Sequence, residues 1–353
     1  MTQQERYVYP GALHIHTTYS DGSGTVEEVI TAAHEAGLRW IMITDHDTLD
    51  GRHYEGWHED VLLLVNHEIT PLKNHFLALE IDEVIDRQQP TQAFIDNVYG
   101  RGGFGIIAHP DDHLVNKDEG VHPWDDWAVN WPGNATAETS IGIEIWNMMA
   151  DWRSNRNRIQ RPQHLTDLRA VSRGPTDAVM RWWDSLNAAG KRVFAIGGLD
   201  AHAFRLTYSG TEYTVFPYVE MFGTVTNYLI LNEPLPQDDS RAACALVHRA
   251  LRTGRSYIVN RMYGTQPAIP LLAPQNYNEW TIGDSPILAA GPLAMVADVG
   301  GAADLRLLCN GEIVAQGNGS LERAVDRPGA YRLEAYREGL PWLYTNPIYV
   351  RGA

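Results

Sequence analysis

Short apolar runs alternate with amphipathic helix patterns along most of the chain. The helix pattern TVEEVITAAHEAG begins with a capping box formed by Thr25 and Glu28 and ends at Gly37. Buried strands separated by helices are typical of a parallel α/β sheet or barrel. The run HFLALEI (75–81) is predicted as an additional antiparallel strand. The seven runs predicted as barrel strands are 11–16, 39–44, 61–65, 104–108, 141–146, 193–197 and 226–231.

The pattern changes after about residue 262. The segment DLRLLCNGEIVAQG alternates apolar and polar residues around Asn310-Gly311, a dipeptide that favours a two-residue β-hairpin turn. Further strand patterns and turn residues follow up to residue 350. We therefore predict two domains, an α/β domain at 1–262 and a small antiparallel, sandwich-like β domain at 263–353.

Composition narrows the classes of partner. The formal net charge of −16 argues against nucleic acid or an anionic membrane, because both require a basic protein surface. The two cysteines, Cys244 and Cys309, give no disulfide framework. The N-terminal sequence has no apolar segment typical of a signal peptide, and no run is long enough to cross a membrane. We expect a soluble, cytoplasmic protein.

Histidines and carboxylates recur at the ends of the predicted strands. His14 and His16 are two residues apart, so a regular strand would project both from one face, with Leu13 and Ile15 on the other. The ends of parallel strands meet at one rim of a barrel, where active sites form. The later residues of this kind are Asp45, His46, His67, Glu68, His75, His109, Asp200 and His202. Neighbours on a strand point to opposite faces, so only one of His67 and Glu68 reaches the rim, and we choose Glu68.

In their order along the chain, these motifs resemble the polymerase and histidinol phosphatase (PHP) family of metal-dependent hydrolases. The resemblance rests on HIHTTYSDG, ITDHDT, HEIT, HFLAL, AHP and GLDAH and covers about 11–230. It implies a distorted (β/α)7 barrel that holds two or three divalent metal ions. The implied ligands are His14, His16, Glu68 and Asp200 for one ion, Glu68 as a bridge with His75 and His109 for a second, and Asp21, His46 and His202 for a third.

The C-terminal part is similar to one branch of that family, the carbaryl hydrolase-like (CehA-type) proteins. The similarity rests on LVHRALRTGRSYIV followed by NGEIV, PGAYRLEAY and PWLYTNPIYV. It implies hydrolysis of esters in a sense broader than phosphate monoesters.

The chemistry of such a centre follows from its charge. Three divalent ions, three anionic ligands and one bridging hydroxide leave about +2, which favours an anionic substrate or transition state. Imidazole and carboxylate ligands suit zinc, manganese or iron. We expect a bridging hydroxide to attack a phosphoryl group, with Glu68 and Asp200 as catalytic metal ligands. Asp45 or Asp47 is expected to orient a ligand or the nucleophile, although Asp45 is nearly as well explained as a carboxylate that caps a turn.

The sequence is compatible with three functions. The first is a phosphoesterase acting on small mono-, di- or triesters. The second is a carbamate, carboxylic ester or amide hydrolase that uses the same metal centre. The third, which the open mixed ligand set disfavours, is a binding protein with a structural cluster.

A segment rich in tryptophan and arginine, about 111–175, interrupts the strand pattern. We predict that it shapes the pocket for a small-molecule ester. The alternative is a solvated insertion that packs on the barrel. The residues predicted to bind substrate are His113, Trp152, Arg153 and Arg156.

Overall fold

The structure is a computed structural model that describes residues 5–112, 141–155 and 166–352. Its strands in the first part of the chain are β1 (Tyr7–Ile15), β2 (Trp40–Ile43), β3 (Gly56–His58), β4 (Val61–Val65), β5 (His67–Ile69), β6 (Phe76–Leu79), β7 (Phe104–Ile107), β8 (Gly142–Asn147), β9 (Phe194–Gly198), β10 (Phe204–Tyr208), β11 (Thr211–Val215), β12 (Val225–Leu231) and β13 (Ser256–Asn260). The strands that follow are β14 (Leu271–Gln275), β15 (Asn278–Thr281), β16 (Ala294–Asp298), β17 (Asp304–Cys309), β18 (Glu312–Asn318), β19 (Ser320–Ala324), β20 (Gly329–Arg337), β21 (Leu340–Thr345) and β22 (Ile348–Val350).

Most of the helices alternate with the strands of the α/β part along the chain. The α-helices are α1 (Val26–Glu35), α2 (Thr91–Gly100), α3 (Met148–Asn155), α4 (Leu168–Val171), α5 (Asp177–Ala188), α6 (Tyr218–Phe222) and α7 (Ser240–Arg252), and the short 3₁₀ helices are Asp50–Tyr54, Arg261–Tyr263 and Leu288–Ala290. The capping box of Thr25 and Glu28 is present at the start of α1, as predicted. No helix within the described ranges is long and apolar enough to span a membrane.

The strands form one long sheet, one five-stranded sheet and a separate hairpin of β10 and β11. The long sheet has the order β15-β14-β16-β19-β18-β17-β20-β21-β13-β12-β1-β2-β4-β3, with β22 beside β20. The five-stranded sheet has the order β5-β6-β7-β8-β9. Within it β6 is antiparallel to β5 and β7, as predicted for the run 75–81.

The predicted (β/α)7 barrel is not confirmed, because these sheets are not closed. The parallel strands fall into two sets, β1-β2-β4 and β7-β8-β9. The run predicted as the seventh barrel strand, 226–231, belongs to β12, which is antiparallel to β1 and to β13. Apolar patterning predicts that a strand is buried but does not fix its direction, which explains this error.

The two sheets meet at two places through single bridges. One bridge joins His46 to Glu68, and the other joins Ile15 to Ala201. Backbone hydrogen bonds extend the second contact, since the N–H of Ala201 donates to the carbonyl of His14 at 3.1 Å. The regular pairing ends at these two junctions, and most of the predicted metal ligands lie beside them.

The antiparallel C-terminal region is continuous with the α/β part. Strand β21 pairs with β13, so one sheet crosses the boundary predicted at 262/263. The core under this region also contains Tyr228 and Tyr257 from the first part. The Asn310-Gly311 hairpin between β17 and β18 is confirmed, and both turn residues have the positive φ angles, 52° and 83°, that such a turn requires. The boundary between two domains stays a prediction.

Candidate metal centre

His14 reaches the site through a bulge at the end of β1. The register between β1 and β2 shifts between Leu13 and Ile15, and His14 has a left-handed backbone with φ of 66°. Leu13 and Ile15 consequently pack into two different parts of the core. The prediction that these two share a face was wrong, because it assumed a regular strand.

Left-handed backbone also occurs at His109 (φ 27°) and Asp200 (φ 54°). Both follow the end of a strand, β7 and β9 respectively, where ladder hydrogen bonds stop. Histidine and aspartate tolerate this conformation better than most residues, although it still stores strain. The turns direct their side chains towards His14 and His16.

The nine residues predicted as metal ligands lie together in three overlapping groups. Within each group the ligating atoms all lie within 4.8 Å of one another. The groups are His14, His16, Glu68 and Asp200; Glu68, His75 and His109; and His16, Asp21, His46 and His202. The third group differs from the predicted set by also including His16. Glu68 and His16 are therefore each shared by two groups.

Glu68 occupies the centre of the cluster and is fully buried. Its Oε1 lies 2.9 Å from Nδ1 of His75 and 3.2 Å from Nε2 of His109. Its Oε2 lies 3.1 to 3.4 Å from nitrogens of three other histidines, namely His14, His16 and His46. The two oxygens thus face different groups, which is the arrangement that a bridging carboxylate requires.

Hydrogen bonds fix the tautomers of two histidines through backbone carbonyls. Nε2 of His75 donates to the carbonyl of Pro71 at 3.1 Å, which leaves Nδ1 towards Glu68. Nδ1 of His202 donates to the carbonyl of Asp200 at 2.7 Å, which leaves Nε2 towards Asp21. In each case the nitrogen without the proton faces a carboxylate of the cluster, as expected for a metal-binding imidazole.

His46 is oriented by a side-chain hydroxyl instead. Its Nδ1 lies 2.7 Å from Oγ1 of Thr70, and this hydroxyl itself donates to the carbonyl of Glu68. Because the hydroxyl proton of Thr70 is donated to that carbonyl, Oγ1 of Thr70 accepts a hydrogen bond from Nδ1 of His46. Nε2 of His46 is then left facing Asp21 at 3.4 Å.

His16 provides the test of whether a metal fits. Neither of its buried ring nitrogens has a hydrogen-bond partner of good geometry within residues 5–112, 141–155 and 166–352. Burial, reinforced by the neighbouring His202, lowers the pKa of His16 to about 3, so the ring is neutral at physiological pH. A buried neutral imidazole beside Glu68 and Asp200 has an unused lone pair, and a divalent cation satisfies both it and the carboxylates.

The carboxylates of the cluster are ionised in this arrangement. Burial alone would raise the pKa of Glu68, but the imidazole of His14 holds it well below its usual range. Burial likewise opposes ionisation of Asp200, and the guanidinium of Arg153 outweighs it and keeps that pKa low. The donor set is therefore anionic oxygen and imidazole nitrogen, which suits divalent transition metals.

Glu144 is a functional residue that the sequence interpretation missed. This fully buried carboxylate accepts a hydrogen bond from Nδ1 of His14 at 2.8 Å and another from the backbone N–H of His109 at 2.6 Å. It thereby presents Nε2 of His14 to the cluster and holds the turn of His109. A carboxylate inside the apolar run IGIEIW was the available signal, because a buried charge requires a partner.

Arg153 contacts the centre through a carboxylate. Its Nη2 lies 2.8 Å from Oδ2 of Asp200 and 2.5 Å from Oδ2 of Asp112, while Oδ1 of Asp200 faces His14 and His16. Trp152 is buried and packs edge-on against Phe216. The other two residues predicted to bind substrate, His113 and Arg156, lie outside the described residues.

Asp45 and His67 both point away from the ligating atoms. The carboxylate of Asp45 accepts hydrogen bonds from the N–H and hydroxyl of Thr17 and from the hydroxyl of Ser20, at 2.6 to 2.7 Å. It therefore fixes the loop that carries Asp21, which matches the turn-capping interpretation. Nε2 of His67 accepts from the N–H of Ile85 at 3.2 Å, on the side of β5 opposite to Glu68.

The part of the chain that carries most of the cluster matches a known family model. Residues 12–125 match the family model described as PHP domain. The match contains seven of the nine clustered residues and leaves out Asp200 and His202. No curated protein matches the chain.

Among the solved structures that are similar to the chain are two bacterial proteins. One is a two-domain protein containing a predicted PHP-like metal-dependent phosphoesterase from Bacteroides vulgatus ATCC 8482, with 13% identity, a TM-score of 0.47 and coverage of 97% of this chain and 96% of that one. The other is a candidate metal-dependent phosphoesterase from Bifidobacterium adolescentis ATCC 15703, with 17% identity, a TM-score of 0.33 and coverage of 57% and 88%. The resemblance to the carbaryl hydrolase-like branch stays a prediction.

Proposed function

We propose that this protein is a metal-dependent phosphoesterase that hydrolyses small phosphate esters. The observation that carries the proposal is the convergence of nine imidazole and carboxylate side chains into three overlapping groups joined by Glu68 and His16. The PHP domain match over residues 12–125 supports the same chemistry.

A cluster that held three divalent ions would favour an anionic substrate. Five carboxylates and one guanidinium lie in it, namely Asp21, Glu68, Asp112, Glu144, Asp200 and Arg153. Together they bring a charge of about −4, so two divalent ions make the site about neutral and three leave it at about +2. A site with three ions would stabilise a phosphoryl group that gains negative charge during displacement.

In the proposed reaction a water oxygen forms a bond to phosphorus, the bond from phosphorus to the leaving oxygen breaks, and a proton passes to the released alcohol. Divalent ions held by the nine residues would supply a water of lowered pKa and polarise the phosphoryl oxygen. Glu144, Thr70 and Pro71 keep the histidine nitrogens oriented. Glu68 and Asp200 keep the catalytic role proposed for them as ligands.

We extend the proposal to Arg153 as a group that contacts the phosphoryl oxygens. Its Nε is buried without a hydrogen-bond partner in the described part of the chain, while Nη2 holds Asp200. Such a donor beside the ligands is placed to bind an oxyanion. Arg153→Lys tests this role, because a lysine keeps the charge but loses the fork of donors.

The experiment that tests the function is metal analysis of the purified protein combined with turnover of a substrate panel. The panel contains aryl phosphate mono-, di- and triesters and an aryl carbamate. We expect bound divalent metal, and turnover of the phosphate esters that disappears on chelation and returns on metal addition. Turnover of the carbamate alone would contradict the proposal in favour of the carbaryl hydrolase type, and metal without any turnover would favour a structural cluster.

A further inference from the structure

A cavity of about 560 Å³ opens beside the metal centre. Two of the clustered residues, Asp21 and His46, line it, so it adjoins the third ligand group. The opposite wall is the segment between β6 and α2, which contributes residues 84–88. The residues predicted to bind substrate in the described part of the chain, Trp152 and Arg153, do not line this cavity.

Arg87 supplies the positive charge of this wall. Its side chain is 56% exposed, and Nη1 lies 3.1 Å from Oδ2 of Asp47. Asp47 is its only partner among the residues that the structure describes. A guanidinium has five N–H donors, so most of its donors remain available to a ligand.

Asp47 is a rigid anchor for Arg87. Its Oδ1 accepts the N–H of Thr70 at 3.1 Å, and its backbone N–H donates to the carbonyl of Glu68 at 2.9 Å. The anchor is thus attached to the strand that carries the central carboxylate of the cluster. A partly exposed ion pair of this kind contributes little stability, so Arg87 can also bind an incoming oxyanion through its remaining donors at small cost.

The rest of the wall has an apolar part and an acidic part. Val84 is a large apolar side chain that is 45% exposed. The carboxylate of Asp86 accepts a hydrogen bond from the N–H of Gln88, inside its own loop. An apolar group on the ligand can therefore lie on Val84. A charged group on the ligand would be attracted by Arg87 if it is anionic and by Asp86 if it is cationic.

We infer that this cavity receives the leaving group of the substrate and that Arg87 binds an oxyanion carried by that leaving group. The inference rests on the proposed phosphoesterase function, because the ligand groups beside Asp21 and His46 would hold the phosphoryl group. It assigns the substrate to phosphate esters whose alcohol part is partly apolar and carries a second negative charge. Arg87 is then a specificity-determining residue.

The test compares three aryl phosphates that differ in the group at the far end of the ring. These are phenyl phosphate, 4-carboxyphenyl phosphate and 4-(aminomethyl)phenyl phosphate. In the wild-type protein, kcat/KM for 4-carboxyphenyl phosphate should exceed kcat/KM for phenyl phosphate by about tenfold, as expected for one charge-assisted contact. The difference should arise from a lower KM. Arg87→Gln should remove this preference, so that the ratio of kcat/KM for 4-carboxyphenyl phosphate to kcat/KM for phenyl phosphate falls to about one.

The matched control is Arg101→Gln. Arg101 forms an exposed ion pair with Glu83 at 3.3 Å, close in sequence but outside the cavity lining. This variant should retain the wild-type preference. A calorimetric titration with 4-carboxyphenylphosphonate and phenylphosphonate measures the same difference without turnover.

The outcomes separate the inference from the function on which it rests. Preference for the aminomethyl compound, or an unchanged carboxylate preference in Arg87→Gln, would overturn the role of Arg87 while leaving a phosphoesterase intact. A protein that turns over neither these three compounds nor the aryl phosphate di- and triesters of the panel contradicts the proposed function. The titration then decides the inference, because equal affinity for the two phosphonates overturns it.

Discussion

Glu144 offers the sharpest test of how the centre is organised, because it orients ligands without belonging to the three ligand groups. Each of its oxygens accepts one buried hydrogen bond, from His14 Nδ1 at 2.8 Å and from the N–H of His109 at 2.6 Å. In Glu144→Gln one oxygen becomes an amide N–H₂ group, which faces a donor in either orientation. One hydrogen bond is lost and a buried donor is left unsatisfied, at a cost of about 1–3 kcal/mol.

The expected effect on metal binding follows from the loss of orientation at His14. Residues that hold a ligating imidazole typically contribute about 10–100-fold in metal affinity, and we expect a loss of that size. Competition with a fluorescent chelator measures it, and denaturant unfolding of the chelator-treated protein measures the stability.

The control is Glu334→Gln, which changes a buried carboxylate bound to Arg332 and Tyr336 in the C-terminal region. It should lower stability and leave metal affinity unchanged. Wild-type metal affinity in Glu144→Gln would refute the role given to Glu144.

Two further predictions concern the surroundings of the centre. A Cβ at Gly198 would overlap Oε1 of Glu144. Gly198→Ala should therefore weaken metal binding and lower the free energy of unfolding by about 2–4 kcal/mol. Gly100→Ala, where a Cβ meets open space, should change the free energy of unfolding by at most about 1 kcal/mol. Burial raises the pKa of Asp151 to about 7, against the N–H donors of Arg173, Trp146 and Gly174. The folded chain therefore keeps this proton to higher pH than the unfolded chain, and ionisation between about pH 4 and 7 lowers the free energy of unfolding by up to about 1.4 kcal/mol per pH unit. Denaturant unfolding should show that the free energy of unfolding of Asp151→Asn increases relative to that of wild type as pH rises from 5 to 7. A difference between the two proteins that stays constant or moves in the opposite direction would count against this assignment.

Local sequence patterns were sufficient to locate most elements of the α/β part. The run 61–65 coincides with β4, and the capping box at Thr25 sets the start of α1. These features depend on burial and on hydrogen bonds between residues close in sequence, so the sequence alone contains the needed information. Strand direction and long-range pairing depend on residues far apart in sequence. The antiparallel direction of β12 and the contact of β13 with β21 were therefore not predicted.

The candidate site shows the same division. The nine clustered residues could be chosen from motif order, because histidines and carboxylates at strand ends converge wherever the strand ends do. The reason given for His14 was nevertheless wrong, since a bulge and a left-handed backbone place it rather than strand alternation. The sequence interpretation also missed Arg87, because an exposed arginine in a polar loop carries no signal until the structure places it beside a cavity.

Metal content of two variants on adjacent residues tests the central claim most directly. Glu68 has one oxygen towards each side of the cluster, while His67 faces away and contacts the N–H of Ile85. Elemental analysis of the purified proteins should find two or three divalent ions per chain in wild type and in His67→Gln, and a loss of bound metal in Glu68→Gln, because cations lose the carboxylate that offsets their mutual repulsion. Full metal content in Glu68→Gln together with depletion in His67→Gln would contradict the account at its centre.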